Sequence, residues 1–398
     1  MKRLLVALLV IAMIVPLVAI NAFAAEGEPD YFYVKNIGDT TTMSWKAKNI
    51  LYKCPTRDDE WHLLEGSLEI AKGETVYFKG SNNTLFGSRV VFPAESQVDL
   101  GGDITTLLNE KGNVATLQES AFESLFKYNA AIRNINKLKF PSTTINKRTY
   151  CQMFSNCSNL ELLPAEGIKA KILGEMCCFA MFSNCTSIKS IPNEFLPSAK
   201  LERACYANMF DGCSSLSTLP LNLLKALELR DECYAFMFRD TGIKEIPPAF
   251  LRSQKLAKYC YMSMFSGCKN LTIIPQSLLP AKTLAPYCYM QMFEKCTGIQ
   301  NLPQKLLPAT TLATACYMQM FCGCTSLKYV PSGFLPAKEL VTGCYNGMFD
   351  GCTSLTNPPT AGSMTTDSGI TVAVAGAIAA IGIAAGVYCM KGQKKTNE

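Results

Sequence analysis

The twelve residues CYMSMFSGCKNL at 260–271 decide how most of this chain folds, because close copies of them recur along it. The Met-Phe pair recurs every 28 residues, and once after 27, with its Met at 153, 181, 209, 237, 264, 292, 320 and 348. A Leu or Ile stands eight residues before each of these Met residues, and a Pro closes each unit. One such unit cannot bury its own apolar side, so we expect the repeats to stack on each other.

The spacing inside a unit predicts its local structure. Apolar residues fall at i, i+4, i+5, i+8 and i+9, which is the pattern of a short helix. Gly267, just before the second Cys, suits a left-handed helix end. Leu271 and Ile274 then belong to a short strand that a Pro terminates. The sequence therefore predicts an α/β repeat solenoid of about 28-residue coils over 119–359. It begins with a degenerate cap repeat in which Leu125-Phe126 replaces Met-Phe.

The region before the repeats, 25–118, has a different pattern. Strand-like runs begin at Tyr31, Leu68, Thr75 and Arg89, and Gly, Asn and Asp separate them. These runs predict a small all-β domain in front of the solenoid. Whether it binds a ligand or acts only as a cap and spacer stays open at this point.

Candidate binding residues follow from the predicted strands of the repeats. The two residues between the apolar pair of each strand should point away from the core, so a stack would expose them in a row. The candidate binding residues selected from this row are Glu161, Lys189, Lys244, Glu245, Gln300, Asn301, Lys328 and Tyr329.

The repeat resembles that of the BspA-type leucine-rich-repeat surface proteins. The resemblance rests on the segment Met264 to Leu271 and on the longer Cys-Tyr-x-x-Met-Phe-x-Gly-Cys-Thr-Ser-Leu phrase at 344–355, and it covers about 121–359. It implies a leucine-rich-repeat-like solenoid and adhesion to host, matrix or neighbouring-cell surface proteins.

Cysteine is concentrated in the repeats: 14 of the 19 Cys residues lie four residues before or after the Met of a unit. They have neither C-x-x-C spacing nor a His partner, so neither a metal nor another cofactor is predicted. Two structural interpretations remain open, a column of buried thiols or one disulfide within each repeat. The predicted pairs would be Cys151-Cys157, Cys177-Cys185, Cys205-Cys213, Cys260-Cys268, Cys288-Cys296, Cys316-Cys324 and Cys344-Cys352.

Both ends of the chain carry export and anchoring signals. Residues 1–24 read as a signal peptide cleaved after Ala24. The uncharged run 369–390 is long enough to cross a bilayer, and a basic tail that should stay cytoplasmic follows it at 391–398. The segment 357–361 (Asn-Pro-Pro-Thr-Ala) resembles a sortase sorting signal with cleavage after Thr360, followed by a linker at 360–368. The alternative is a plain type I membrane anchor. Either way, the chain is expected at the cell surface.

Charge and residue types narrow the function classes. The formal net charge of +6 includes the charged residues of both ends, without which 33 basic and 31 acidic residues remain. Because no basic stripe is present, nucleic-acid binding has no electrostatic support. His62 is the only histidine, which excludes most His-dependent nucleophiles.

These observations predict a non-enzymatic, adhesin-like surface protein that binds other proteins through its repeats. It would contact the membrane through the C-terminal segment and, after sorting, peptidoglycan. The alternative is a structural spacer that displays the N-terminal β module.

Overall fold

The computed structural model describes residues 29–196 and 200–356 of the 398-residue chain. The predicted signal peptide with Ala24, the sorting motif with Thr360, and the apolar run 369–390 lie outside the described residues. Within the described ranges, no helix is long and apolar enough to cross a membrane. The type and place of the anchor therefore remain predictions.

The regular elements of the described residues are twelve short strands and one 3-10 helix. The first eight strands are β1 Phe32–Asn36, β2 Thr41–Trp45, β3 Ile50–Lys53, β4 His62–Leu63, β5 Gly66–Ile70, β6 Thr75–Gly80, β7 Val90–Val91 and β8 Val98–Asp103. The 3-10 helix spans Ile104–Leu107, and the remaining strands are β9 Thr116–Leu117, β10 Ile132–Lys139, β11 Thr144–Ile145 and β12 Ile172–Leu173. The four strand-like runs of the N-terminal sequence fall in β1, β5, β6 and β7.

Two sheets pack against each other in the N-terminal region. One has the strand order β10-β8-β1-β6-β3-β4 and the other β5-β2-β7. Alternate side chains of each sheet are buried between them, and Trp45 of one sheet meets Phe78 of the other with ring centroids 5.9 Å apart. The strands β1 and β6 are antiparallel, with Val34 opposite Val76. We call residues 29–118 the sandwich.

The sandwich and the first repeat share a sheet. Strand β10 belongs to the predicted cap repeat, yet it pairs in parallel with β8 of the sandwich. Backbone N–H groups of the sandwich also donate to the cap repeat, Leu85 N to Ala121 O at 2.8 Å and Val90 N of β7 to Leu125 O at 2.9 Å. The hydrophobic core therefore runs from the sandwich into the repeats without a break.

The prediction of an α/β repeat solenoid is wrong. The described residues contain no α-helix, and their three sheets, which lie between Phe32 and Leu173, do not form a solenoid. The segments predicted as helices are runs of overlapping turns. We call the described part of 119–356 the repeat stack, because its units hydrogen-bond to one another at a separation of one repeat.

Backbone conformation explains why these segments are not helical. In the second repeat, Met176, Ala180 and Asn184 have φ of 53°, 50° and 58°, so every fourth residue is left-handed. A right-handed helix does not accommodate such residues. The resulting pattern places two residues inward and two outward with a period of four, which resembles the 3.6-residue period of a helix over so short a segment.

Hydrogen bonds alternate along each turn segment. In the second repeat, Ala180 N donates to Ala207 O of the next repeat at 2.9 Å, whereas Met181 N donates to Cys178 O of its own repeat at 3.3 Å. Every second N–H thus closes a local turn, and the others join adjacent units. This alternation satisfies the backbone of the turn segments without a helix or a continuous strand.

The interior of the stack consists of columns of like side chains. The Phe that follows the conserved Met stacks on its equivalents from Phe126 to Phe349, with ring centroids 5.2–6.0 Å apart. A second column of Tyr runs from Tyr206 to Tyr345 at 5.7–6.1 Å. Identical repeats give identical neighbours, so one residue type fills each column.

The last repeat differs from the others at its left-handed positions. All three are glycine there, Gly343, Gly347 and Gly351, with φ of 67°, 61° and 71°. In internal repeats the N–H at such a position donates to the following repeat, but no further copy of the motif follows Met348. Glycine adopts this conformation without a steric cost.

Candidate binding surface

All eight candidate binding residues chosen from the sequence are exposed. We call the exposed row the outward residues that lie eight and nine positions after the Met residues from 153 to 320, or seven and eight positions after Met237. The row contains Glu161, Leu162, Lys189, Ser190, Thr218, Lys244, Glu245, Thr272, Ile273, Gln300, Asn301, Lys328 and Tyr329.

Backbone hydrogen bonds hold neighbouring repeats in register along the exposed row. Lys328 N donates to Gln300 O at 2.9 Å, and Thr272 N donates to Lys244 O at 3.1 Å. Isolated parallel bridges join Glu245 to Ile273 and Asn301 to Tyr329. Equivalent side chains of successive repeats therefore stand next to one another, at a separation close to that of adjacent β-strands.

Three large apolar side chains interrupt the polar character of the row. Leu162 is 49% exposed, Ile273 is 61% exposed and Tyr329 is 48% exposed. Lysine and carboxylate groups lie in the same row, as at Lys244 and Glu245. A surface that mixes exposed apolar groups with both signs of charge suits a protein partner better than it suits a uniformly charged ligand.

The sequence prediction missed a second apolar surface, on the outer side of the turn segments. Here Phe179, Phe236 and Met262 are partly exposed and pack on a small cluster around Ala207. The available signal was the residue two before each Met, which is Phe or Met in four of the repeats. The periodicity predicted a helix for this segment and so did not identify an outer strip.

Ion pairs run along the border of this apolar strip. Arg203 bridges two repeats, with its guanidinium 2.6 Å from Glu175 and 3.1 Å from Glu232. Farther along the turn segment, Arg239 pairs with Asp211 at 2.6 Å. These charges compensate one another within the chain, so the border presents little net field to a partner.

The cysteines of the stack are free thiols in the structure, and the predicted pairs within repeats are not formed. The second Cys of a repeat donates to the Phe carbonyl of the preceding repeat, as Cys185 Sγ does to Phe154 O at 3.1 Å. Cys151, predicted to pair with Cys157, lies instead on the outer side of its turn segment. The position that repeats as the first Cys holds Thr149 in that unit.

Two exceptions show what the cysteine positions require. Thr149 and Thr241 replace Cys in their columns, and both are buried. The Thr241 hydroxyl donates to Phe238 O at 2.8 Å, and the Thr149 hydroxyl donates to Asn146 O at 2.8 Å. A hydroxyl can substitute for a thiol as a small donor, but not as a disulfide partner. The columns therefore consist of small buried donors.

Burial controls the acidity of these thiols. It raises the pKa of Cys157 and Cys233 to about 12 and that of Cys268 to about 11. A thiol with such a pKa is almost fully protonated at neutral pH and is a poor nucleophile. Across 29–196 and 200–356, no three His, Cys, Asp or Glu side chains are grouped to hold a metal ion.

The single histidine lies at the edge of the sandwich. His62 is in β4, the last strand of its sheet, and its Nε2 is 2.8 Å from an Asp58 carboxylate oxygen. Its ring also lies 5.5 Å from that of Tyr52. The contacts are those of a hydrogen-bonded side chain on a sheet edge.

Comparison of the chain with protein-family models, with curated proteins and with solved structures found no match. The resemblance to BspA-type surface proteins thus stays a prediction from the repeat motif.

Proposed function

We propose that this protein is a non-enzymatic cell-surface binding protein that recognises protein partners through the exposed row of its repeat stack. The observation that carries the proposal is the in-register row itself, in which apolar Leu162, Ile273 and Tyr329 stand among charged and amide side chains. Stacked repeats form extended surfaces of this kind, and such surfaces bind other macromolecules.

The chemistry of the row favours proteins over other ligands. Exposed aromatic and aliphatic side chains supply the desolvated anchors of an interface, and surrounding polar groups supply its rim. The row has lysines at 189, 244 and 328 but also carboxylates at 161 and 245, so it offers no continuous basic path for a nucleic acid.

Capture of partners by the full-length protein, purified in a mild detergent, tests the proposal. The baits are the wild type and a row variant carrying Lys244→Glu, Lys328→Glu and Tyr329→Ala. A matched control carries Lys282→Glu, Lys338→Glu and Thr311→Ala, at exposed positions of a separate ladder in which Thr283 bridges to Thr311. The prey are extracts of host, matrix and microbial surface proteins.

We expect the row variant to lose at least about fivefold in capture of a specific partner, while the control variant retains it. Equal capture by all three baits would contradict binding through the row. A partner that contacts the sandwich and not the repeat stack would favour the alternative, in which the repeats are a spacer.

A further inference from the structure

The two tryptophans of the chain lie in opposite environments. Trp45 is in the sandwich core and is 1% exposed, whereas Trp61 lies just before β4 and is partly exposed. Strand alternation places Trp61 on the outward side of the six-stranded sheet, because Ile50, Val76 and Phe78 of the neighbouring strands point inward and are buried.

Two lysines and a tyrosine fix the indole ring of Trp61. Lys79 Nζ lies 4.5 Å and Lys53 Nζ 5.9 Å from the ring centroid, and the Tyr31 ring meets it edge-on at 4.8 Å. The lysines are themselves held, Lys79 by Glu110 at 2.8 Å and Lys53 by Asp59 at 2.6 Å. Both lysine side chains are about 15% exposed, so they lie between the ring and the sheet.

More aromatic surface continues from this ring across the sheet. Tyr33 and Tyr77 are opposite each other on β1 and β6, with ring centroids 5.9 Å apart. The Tyr33 ring lies over Gly101, where a β-carbon would come within 2.2 Å of it. Glycine at 101 therefore allows the tyrosine to lie flat on the sheet. Together the rings of Tyr31, Tyr33, Trp61 and Tyr77 form what we call the aromatic platform.

We propose that the aromatic platform is a binding site for neutral polysaccharide, with Trp61 as the main stacking ring. The rings are not coplanar, since Tyr31 and Trp61 meet at 68° and Tyr33 and Tyr77 at 63°. The open face of a fixed aromatic ring packs against the C–H face of a sugar ring, and the phenol hydroxyls supply hydrogen bonds at the rim. The platform is open rather than enclosed, which suits a segment of a chain better than a small molecule.

Charge selects against other ligands. Three of the lysines around the platform are paired with carboxylates, Lys53 with Asp59, Lys79 with Glu110, and Lys139 with Asp30 at 2.7 Å. A phosphate or sulfate would therefore meet a carboxylate beside each of these lysines. A cation would approach an aromatic face that already has ammonium groups beneath it. An uncharged polar chain meets neither penalty.

Affinity electrophoresis of the full-length protein tests the site, in a non-ionic detergent without a sugar headgroup. The probes are mixed-linkage β-glucan, xylan and galactomannan as neutral chains, with alginate as an anionic chain. We expect at least one neutral polysaccharide to retard the wild type, and Trp61→Ala to weaken binding by about tenfold, as expected for one aromatic stacking contact. Trp61→Phe keeps a ring and should lose less.

Phe86→Ala is the matched control, because Phe86 is 61% exposed and precedes β7 of the other sheet. It should bind like the wild type. Retardation by alginate alone, retardation by none of the chains, or equal binding by the Trp61→Ala variant would each overturn the proposal. The exposed row lies on the repeats, so these outcomes are independent of the capture experiment on Lys244, Lys328 and Tyr329.

Discussion

The sandwich and the repeat stack satisfy their backbones in different ways. In the sandwich, β1 pairs with both β6 and β8. The hydrogen bonds of the sandwich therefore join strands that are separated by different lengths of chain. In the stack, every second N–H of a turn segment closes a local turn and the others reach the adjacent repeat. The sandwich depends on particular partners, whereas the stack repeats one set of contacts.

Energetic consequences follow from this difference. Each repeat contacts mainly its neighbours, so its stability should be a local property with nearest-neighbour terms. The sandwich should unfold as one cooperative unit. The following experiments test whether the two regions behave so differently.

The largest expected effect is all-or-none labelling of thiols. Burial raises the pKa of Cys157 and Cys233 to about 12, whereas Cys322 and Cys352 are only partly buried. Native protein at pH 8 treated with iodoacetamide should therefore label only Cys322 and Cys352 among the described cysteines of the stack, and unfolded protein should label all of them. Mass mapping without reductant should recover Cys288 and Cys296 as free thiols. A peptide linking these two would contradict the donor columns.

Removal of a stacked ring should cost the most free energy. Phe210 is fully buried between Phe182 and Phe238, with centroids 5.7 and 6.0 Å away. Phe210→Ala should destabilise the stack by about 3–5 kcal/mol. Hydrogen exchange should rise near 210 while β1 and β6 stay protected. Loss of protection in the sandwich to the same extent would show that the two regions unfold together. Phe210→Leu, which leaves a smaller cavity, is the graded control.

Replacement of a buried donor should have a smaller effect. The Thr241 hydroxyl donates to Phe238 O at 2.8 Å and lies 3.2 Å from Cys268 Sγ. Thr241→Val keeps the shape but removes one of the two donors to Phe238 O, since Cys268 Sγ also donates to it at 3.1 Å, and this should cost about 1 kcal/mol in urea unfolding. Thr241→Cys restores the column residue and should stay within about 0.5 kcal/mol of the wild type. Equal losses in both variants would argue that shape, and not the donor, matters at this position.

Backbone strain at the end of the stack should have a yet smaller effect. The nearest atoms to a β-carbon at Gly351 would be 3.5 Å away, so an added methyl meets no steric barrier. Its φ of 71° still disfavours alanine, and Gly351→Ala should cost about 1 kcal/mol. Ala180→Gly, at an internal left-handed position, should change stability less because relief of strain offsets added chain entropy. Equal effects would argue against the left-handed backbone conformation as their cause.

The smallest expected effect concerns the acid stability of the sandwich. Hydrogen bonds from Arg57, above all, lower the pKa of Glu74 from 4.5 to about 2. A lowered pKa means that this contribution is present above pH 4.5 and is lost as the pH falls towards 2. Glu74→Gln should therefore reduce stability at pH 7 by less than about 1 kcal/mol. The difference from the wild type should vanish near pH 2, as urea unfolding across that range would show. A constant difference would exclude the ion pair as its cause.

Sequence reasoning succeeded where spacing alone was decisive. The fixed repeat length predicted stacking in register, and the residues between the apolar pairs are exposed because they alternate with the buried side chains Leu271 and Ile274. It failed for the turn segments, because a period of four residues with two inward and two outward is close to a helical period. Glycine at 267 was interpreted as a helix end, although left-handed residues recur every fourth position, as at Tyr259 and Ser263.

The cysteine positions show a signal that was present but not used. The disulfide hypothesis placed Cys151 with Cys157, because only cysteines were compared. Thr149 and Thr241, which occupy the missing positions, share a hydroxyl donor and a similar size. Trp61 contacts Tyr31 and Lys79, two residues that are far from it in the sequence. No local pattern could have predicted these contacts.

The three glycines of the last repeat also bear on how such a chain could change during evolution. A duplicated internal repeat would pack against the same columns of Phe and Tyr side chains on both of its sides. Recombination could therefore lengthen or shorten the protein by whole repeats. The last copy of the motif differs from the internal units, since its left-handed positions are all glycine, at 343, 347 and 351. The first unit is fixed by its shared sheet with the sandwich. Changes in repeat number should therefore arise among the internal units.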